Sequence, residues 1–188
     1  MNTQMQNHYY PNMQTAIFGG GCFWCIEAVF NSIQGICSAV SGYINGHIEN
    51  PTYEKVCSGL TGYAEAVKIE FDPEIISYRT LLEILFTIHD PTQLNRQGHD
   101  IGTQYRSGIY YLNEEQQREA QAFLNEIKEH YDKPIVTELK AAQTFYPAEE
   151  YHQDYFAKNP HAGYCAAVVA PKYLKAKQYF THLWRENE

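Results

Sequence analysis

Apolar and polar positions change period several times along this chain, and each change predicts an element. Ala16-Ile17-Phe18 is a short apolar run that stops at three consecutive glycines, Gly19 to Gly21. Beyond Cys22, the apolar residues Ile26, Val29, Phe30 and Ile33 recur at helical spacing as far as Gly35. The pattern reads as strand, tight turn, helix, with Cys22 at the helix N-terminus. Residues 36–43 read as a second strand, and 44–62 as a turn-rich loop carrying Asn-Gly and Asn-Pro. Residues 65–72 alternate, with Val67, Ile69 and Phe71 on one face, which predicts a half-buried strand. Ser77 is placed to cap a helix bearing Leu81, Leu82, Leu85, Phe86 and Ile88. Residues 89–106 form a long polar loop, and a loop of that length inside a compact domain is more often functional than idle. A strand over 105–112 follows. Asn113 with Gln116 then makes a capping-box pattern for a charged helix reaching about Tyr131. A strand over 134–140, a short helix over 149–157, an apolar run after Cys165 and a last helix over 172–184 complete the pattern. Strands and helices interleave irregularly, without repeats or an internal linker. We expect an α+β two-layer sandwich with a mixed central sheet, a single domain over 15–188 behind a mobile tail of residues 1–14.

Composition narrows the setting. The chain has 188 residues, enough to bury a substantial core. Its formal charge of −8 argues against nucleic acid or an anionic membrane as partner. No apolar run is long enough to span a bilayer, and the first residues are polar and lack the apolar core of a signal peptide. The five cysteines are an odd number without a regular secreted framework, so reduced thiols and a cytoplasmic location are expected. All three methionines, Met1, Met5 and Met13, lie in the first thirteen residues.

Chemistry enters at Cys22. A thiol at a helix N-terminus faces unpaired N–H groups and the positive end of the dipole, which favour its thiolate. The glycines let the backbone approach a ligand, and Phe23 and Trp24 can wall a small apolar pocket. The glycine spacing fits no nucleotide-binding loop, since neither a third glycine at Trp24 nor a Gly-Lys-Ser/Thr follows. Cys22 and Cys25 form a Cys-x-x-Cys pair, which suits a redox disulfide or half of a zinc site. No second such pair exists and the histidine spacing is irregular, so zinc is disfavoured. For Cys25 a redox role and plain helix packing stand side by side, although a Cys22–Cys25 bond is expected to strain the first helical turn. Glu65 near aromatics would be desolvated and kept protonated, against the bland reading of an exposed strand-end carboxylate. Asp100 is otherwise a turn former, and Tyr53 and Tyr105 are otherwise core packing. Cys165 follows a Gly/Pro-rich stretch that suits a mobile thiol. Cys37 reads as strand packing and Cys57 as loop or core filler.

Four blocks make a resemblance specific. They are Gly20-Gly21-Cys22-Phe23-Trp24; Pro51 to Gly59 continuing through Gly62 to Ala64-Glu65; Gln97-Gly98 with Asp100 and Gly102 to Ser107; and Gly163-Tyr164-Cys165 with Val169 to Lys172. In this order they resemble the A-type peptide methionine sulfoxide reductases, over residues 15–175. The chain departs at Tyr63 and His99, where the family pattern leads us to expect His and Asn. The resemblance implies reduction of methionine S-sulfoxide, free or in proteins, as repair after oxidation. By it, Cys22 attacks the sulfur, Glu65 in its acid form protonates the departing oxygen, and Tyr53 and Tyr105 donate hydrogen bonds to that oxygen. Phe23 and Trp24 pack the methyl group, and Asp100 orients Tyr105 or a water. Cys22 is left as a sulfenic acid, Cys165 condenses with it to a disulfide, and thioredoxin resets the enzyme. No metal or organic cofactor is implied, and the acidic surface suggests a monomer. A dithiol oxidoreductase using Cys22 and Cys25 and a zinc-binding module remain the alternatives from other classes.

Overall fold

The structure is a computed structural model that describes residues 12–186. The first strand, β1 (Gln14–Gly19), leads through the glycine turn into α1 (Phe23–Phe30). Then follow β2 (Ile36–Ile44), a short α2 (Tyr53–Cys57), β3 (Ala64–Phe71) and α3 (Tyr78–Ile88). Two-residue strands β4 (Arg96–Gln97) and β5 (Asp100–Ile101) pair with each other inside the long polar loop. After a 3₁₀ turn at Thr103–Tyr105 come β6 (Gly108–Tyr111), α4 (Glu114–Ile127), β7 (Glu138–Ala141) and β8 (Tyr146–Pro147). The chain closes with α5 (Tyr155–Lys158), a π-helical turn at Cys165–Val169, and α6 (Ala170–Tyr179).

The main sheet has six strands in the order β7-β6-β1-β3-β2-β8, antiparallel throughout except for the parallel β6–β7 pair. The expected α+β sandwich with a mixed sheet is therefore what the chain forms. Alternation along the strands sorts the core. Phe18, Val67, Ile69 and Phe71 face the helices, where they meet Phe30, Leu81 and Leu85 in the main cluster. Ile17, Ala64, Ala66 and Tyr110 face the other way, into a smaller cluster covered by Ala142 and Phe145. That second cover explains why residues 64–67 are buried on both faces, where half burial was expected. The caps read from sequence are present: Ser77 Oγ accepts from the Thr80 N–H and Asn113 Oδ1 from the Gln116 N–H. Two expected strands are shorter than the pattern implied, because Tyr105 belongs to the 3₁₀ turn and pairing with β6 begins only at Glu138. α2 was read as loop; its apolar content is too slight to show a period, and Thr52 caps it. The expected tail falls mostly on residues 1–11, which lie outside the described residues, as do Met1 and Met5; Gln14 already belongs to β1. Among the described residues no helix is long and apolar enough to cross a membrane.

Candidate active site

The glycine turn brings β1, β3 and the long loop to one point. Gly21 has φ +84°, and a side chain there would run into Gln97 at 2.8 Å. Its N–H donates to the Tyr105 carbonyl at 3.2 Å, which ties the turn to the loop that carries Asp100 and Tyr105. Cys22 is the N-cap of α1, in extended conformation, so its side chain lies over the first turn. Glu65 lies near enough for Cys22 to sense its charge, on the helix-facing side of β3 and paired across the sheet with Tyr43. Its Oε1 accepts the Phe23 N–H at 3.2 Å, while Oε2 is buried without a partner. One of the free N–H groups of the helix start is thus spent on the carboxyl, and that of Trp24 favours the Cys22 thiolate.

Burial decides the ionisation of both groups. Glu65 is 1% exposed, and desolvation pushes its carboxyl up to about 8 against the pull of the Phe23 N–H. That value keeps its proton in place at neutral pH. Cys22 departs from expectation. Burial, then the nearby Glu65 and Cys25, push its thiol well above the ordinary range, and the helix N–H of Trp24 offsets only part of this. The helix N-terminus is a weaker influence than removal from water, because Cys22 is only 8% exposed. A protonated Glu65 removes one of the charges that oppose the thiolate.

The other expected residues gather here. Tyr53 opens α2, held by its N–H donating to Glu149 Oε2 at 3.1 Å. Burial raises the hydroxyls of Tyr53 and Tyr105, which keeps both as donors, and both lie near enough to Glu65 to sense its charge. Asp100 has a direct partner that the sequence did not show. Its Oδ2 accepts a hydrogen bond from the Tyr164 hydroxyl, and the described hydrogen bonds do not join it to Tyr105. Phe23 is fully buried and Trp24 half-buried. Cys57, read as filler, lies beside the Tyr53 hydroxyl at the end of α2. Cys37 is half-buried at a bulge in β2, and all five cysteines are free. Cys165 is fully buried at the start of the π-helical turn, packed into the main core; it does not sit in an open segment.

Residues 149–164 supply groups that sequence reasoning missed. Trp24 Nε1 donates to His152 Nδ1 at 3.1 Å, the Tyr155 ring stacks on Trp24 at 3.7 Å and 7°, and Tyr164 meets it edge-on at 5.7 Å. His152 also packs against Tyr53 at 4.4 Å and Phe23 at 5.1 Å. Burial lowers its pKa, and accepting at Nδ1 puts the proton on Nε2, which is buried without a partner. Glu27 is a second buried carboxyl, taking the Ser41 hydroxyl at 3.0 Å and the Asp154 N–H at 2.9 Å. The crowding of Tyr151, His152, Tyr155 and Phe156 is the one sequence signal that pointed here. Behind the turn, His89, Asp90, Lys133 and Lys172 line a cleft of about 920 Å³ that includes neither Cys22 nor Glu65. No group of three His, Cys, Asp or Glu side chains among the described residues is arranged to hold a metal ion. The arrangement offers a shielded thiol, a neutral carboxylic acid and two phenol donors beside an aromatic pocket. That set can receive a polar, basic oxygen attached to an apolar centre.

Comparison with known proteins finds close relatives. Residues 14–184 match the family described as peptide methionine sulfoxide reductase. The peptide methionine sulfoxide reductase MsrA of Pasteurella multocida is 60% identical over 172 residues, covering 92% of this chain and 99% of the relative. That of Acinetobacter baumannii is 55% identical over 175 residues, covering 93% and 100%. Among solved structures, Mxr1 of Saccharomyces cerevisiae in reduced form superposes with a TM-score of 0.78 at 35% identity, covering 84% of this chain and 92% of that one. Methionine sulfoxide reductase A of Corynebacterium diphtheriae gives 0.77 at 34% identity, covering 81% and 77%.

Proposed function

The chain belongs to the peptide methionine sulfoxide reductase family, and from that premise we propose that it reduces the S epimer of methionine sulfoxide by thiol chemistry at Cys22. The observation that carries the reading is the buried, neutral Glu65 tied to the Phe23 N–H next to Cys22, with its other carboxyl oxygen unpartnered. A sulfoxide has an electrophilic sulfur and a basic oxygen. The Cys22 sulfur attacks the first while Glu65 hands its proton to the second, and Tyr53 and Tyr105 donate hydrogen bonds to that oxygen. The methyl group lies against Phe23 and Trp24. The oxygen departs as water after a second protonation, which the Cys22 proton supplies, leaving a sulfonium bonded to the Cys22 sulfur. Water then attacks the Cys22 sulfur, methionine leaves, and the proton returned restores Glu65. The balance is sulfoxide plus thiol giving thioether plus sulfenic acid. Placing an acid of matched pKa at the oxygen is worth typically about 10²–10⁴-fold.

The sulfenic acid then condenses with a second thiol, losing water, and the oxidising equivalent reaches Cys165. A thioredoxin-type dithiol reduces the resulting disulfide by exchange. The reaction asks for no metal or organic cofactor, since the thiols carry both electrons. Cys22→Ser tests the centre of this reading with dithiothreitol and N-acetyl-methionine-S-sulfoxide. We expect activity to vanish, because a hydroxyl cannot replace the thiol as nucleophile or hold the oxygen as a sulfenic acid. A variant retaining about a tenth of the wild-type rate would remove Cys22 from the mechanism.

A further inference from the structure

Three thiols lie in one buried cluster: Cys22, Cys25 and Cys165. The proposed reaction uses the first and last. Cys25 stands on α1 at the third helical position, and Cys22 is the N-cap with φ −64° and ψ 128°. An N-cap side chain reaches back over the N–H groups of the second and third helical residues, which is why capping side chains bond there. The Cys22 sulfur is accordingly favoured by the Trp24 N–H, and the Cys22 carbonyl accepts the Cys25 N–H at 3.2 Å. The pair therefore faces across one turn with the backbone already in place. The strain expected from sequence for a Cys22–Cys25 bond would apply to two residues inside a helix, and Cys22 is not inside it.

The surroundings order the three thiols. Cys22 senses the charge of Cys25, and Cys25 senses that of Cys165. α1 packs against both the π-helical turn that begins at Cys165 and α6. Lys172, on α6, lies near enough to Cys25 to favour its thiolate, opposing the charges of Asp100 and Glu65. Tyr164, bonded to Asp100, stands beside Cys22 in the residue just before Cys165.

Resting on the reductase reading, we infer that Cys25 is a redox relay: it captures the Cys22 sulfenic acid first and passes the disulfide to Cys165. In the first step the Cys25 sulfur attacks the Cys22 sulfur, the S–OH bond breaks, and the hydroxyl leaves as water with the Cys25 proton. In the second, the Cys165 sulfur attacks Cys25, the Cys22–Cys25 bond breaks, and Cys22 leaves as a thiolate that takes up the Cys165 proton. This exchange changes no net oxidation state. The outcome is a Cys25–Cys165 disulfide with Cys22 free for a second substrate.

The stoichiometry without reductant reads this directly. The fully reduced enzyme is mixed with excess N-acetyl-methionine-S-sulfoxide, the thioether released is counted, and the linked cysteines are mapped by peptide mass spectrometry. We expect about two thioethers per chain, a Cys25–Cys165 bond, and Cys22 recovered as a dimedone adduct of its sulfenic acid. Cys25→Ala should release about half as many. About one thioether per chain with a Cys22–Cys165 bond would overturn the relay, as would Cys165 bonded to any thiol other than Cys25. A Cys22–Cys25 bond as the end product would overturn the hand-off. Release of no thioether at all would instead refute the reductase reading on which the relay rests.

Discussion

The site has two walls that are built in different ways. One is the glycine turn with β3: Cys22, Phe23 and Glu65 hang from the central strands of a six-stranded sheet, and main-chain groups set their positions. The other is residues 149–165, made of a 3₁₀ turn, one short helix and a π-helical turn, whose side chains reach across to α1, α2 and the long loop. Glu149 holds the start of α2, His152 and Tyr155 hold Trp24, and Tyr164 holds Asp100. The first wall places the proposed reacting groups through backbone; the second places the proposed pocket through side chains. Damage to the first should therefore reach the chemical step, and damage to the second should reach substrate binding and the resolving thiols.

Glu65→Gln breaks the comparison hardest. The amide can still accept the Phe23 N–H but cannot donate an acidic proton. We expect the first thioether to form roughly 10²–10⁴-fold more slowly near neutral pH, measured by rapid quench in a single turnover. The pH profile carries the sign. Glu65 is protonated below about 8, so the wild-type rate of this step should fall as pH rises through that value. In the Gln variant that descending limb should vanish, and its deficit should shrink at low pH where solvent supplies the proton. Equal rates at neutral pH would exclude Glu65 as the acid.

Tyr155→Ala tests the other wall. The stack on Trp24 is close and nearly parallel, and such pairs contribute about 0.5–1.5 kcal/mol. Its removal leaves Trp24 held by His152 and the edge of Tyr164. We expect KM for N-acetyl-methionine-S-sulfoxide to rise about two- to tenfold with kcat little changed, since a pocket wall acts on ground and transition states alike. A fall in kcat equal to the loss in kcat/KM would mean that this wall also positions the reacting atoms.

The same division explains what could be read from sequence. The glycine turn, the helix start at Cys22 and the strand that carries Glu65 were legible because each depends on neighbours within a few positions: a run of glycines, a helical period, a strand alternation; the role proposed for Glu65 came from the family resemblance. Ser77 and Asn113 behaved as caps for the same reason. The partner of Asp100 was not legible, because Tyr164 is 64 positions away and only the fold joins them. His152 was missed similarly, since its bond to Trp24 spans 128 positions. The ionisation of Cys22 was misjudged because local sequence shows the helix start but not how tightly the core closes over it.

The smallest expected effect on turnover, at a residue that ties the second wall to α1 and β2, lies at Glu27. Its carboxyl is 2% exposed and receives two donors, the Ser41 hydroxyl from β2 and the Asp154 N–H from the 149–165 segment. Burial pushes it up to about 7, the two donors oppose this, and the charges of Asp154 and Lys158 act in opposite senses. A carboxyl raised above its unfolded value favours folding fully only below that value, and the contribution is lost as pH rises through the folded value. Stability should therefore decline between about pH 4.5 and 7 on account of Glu27. Glu65 adds a decline that extends to about 8. Glu27→Gln can accept the Asp154 N–H and donate to the Ser41 oxygen, which is able to accept once its own proton turns away. It cannot ionise. Thermal melts across this range should show the variant close to wild type near pH 5 and higher by roughly several degrees at pH 8, with activity little altered at pH 6. The difference between the two proteins cancels the Glu65 contribution and isolates that of Glu27. A constant difference across the range would mean that Glu27 stays charged when buried, and that the hydrogen bonds from Ser41 and Asp154 outweigh its loss of water.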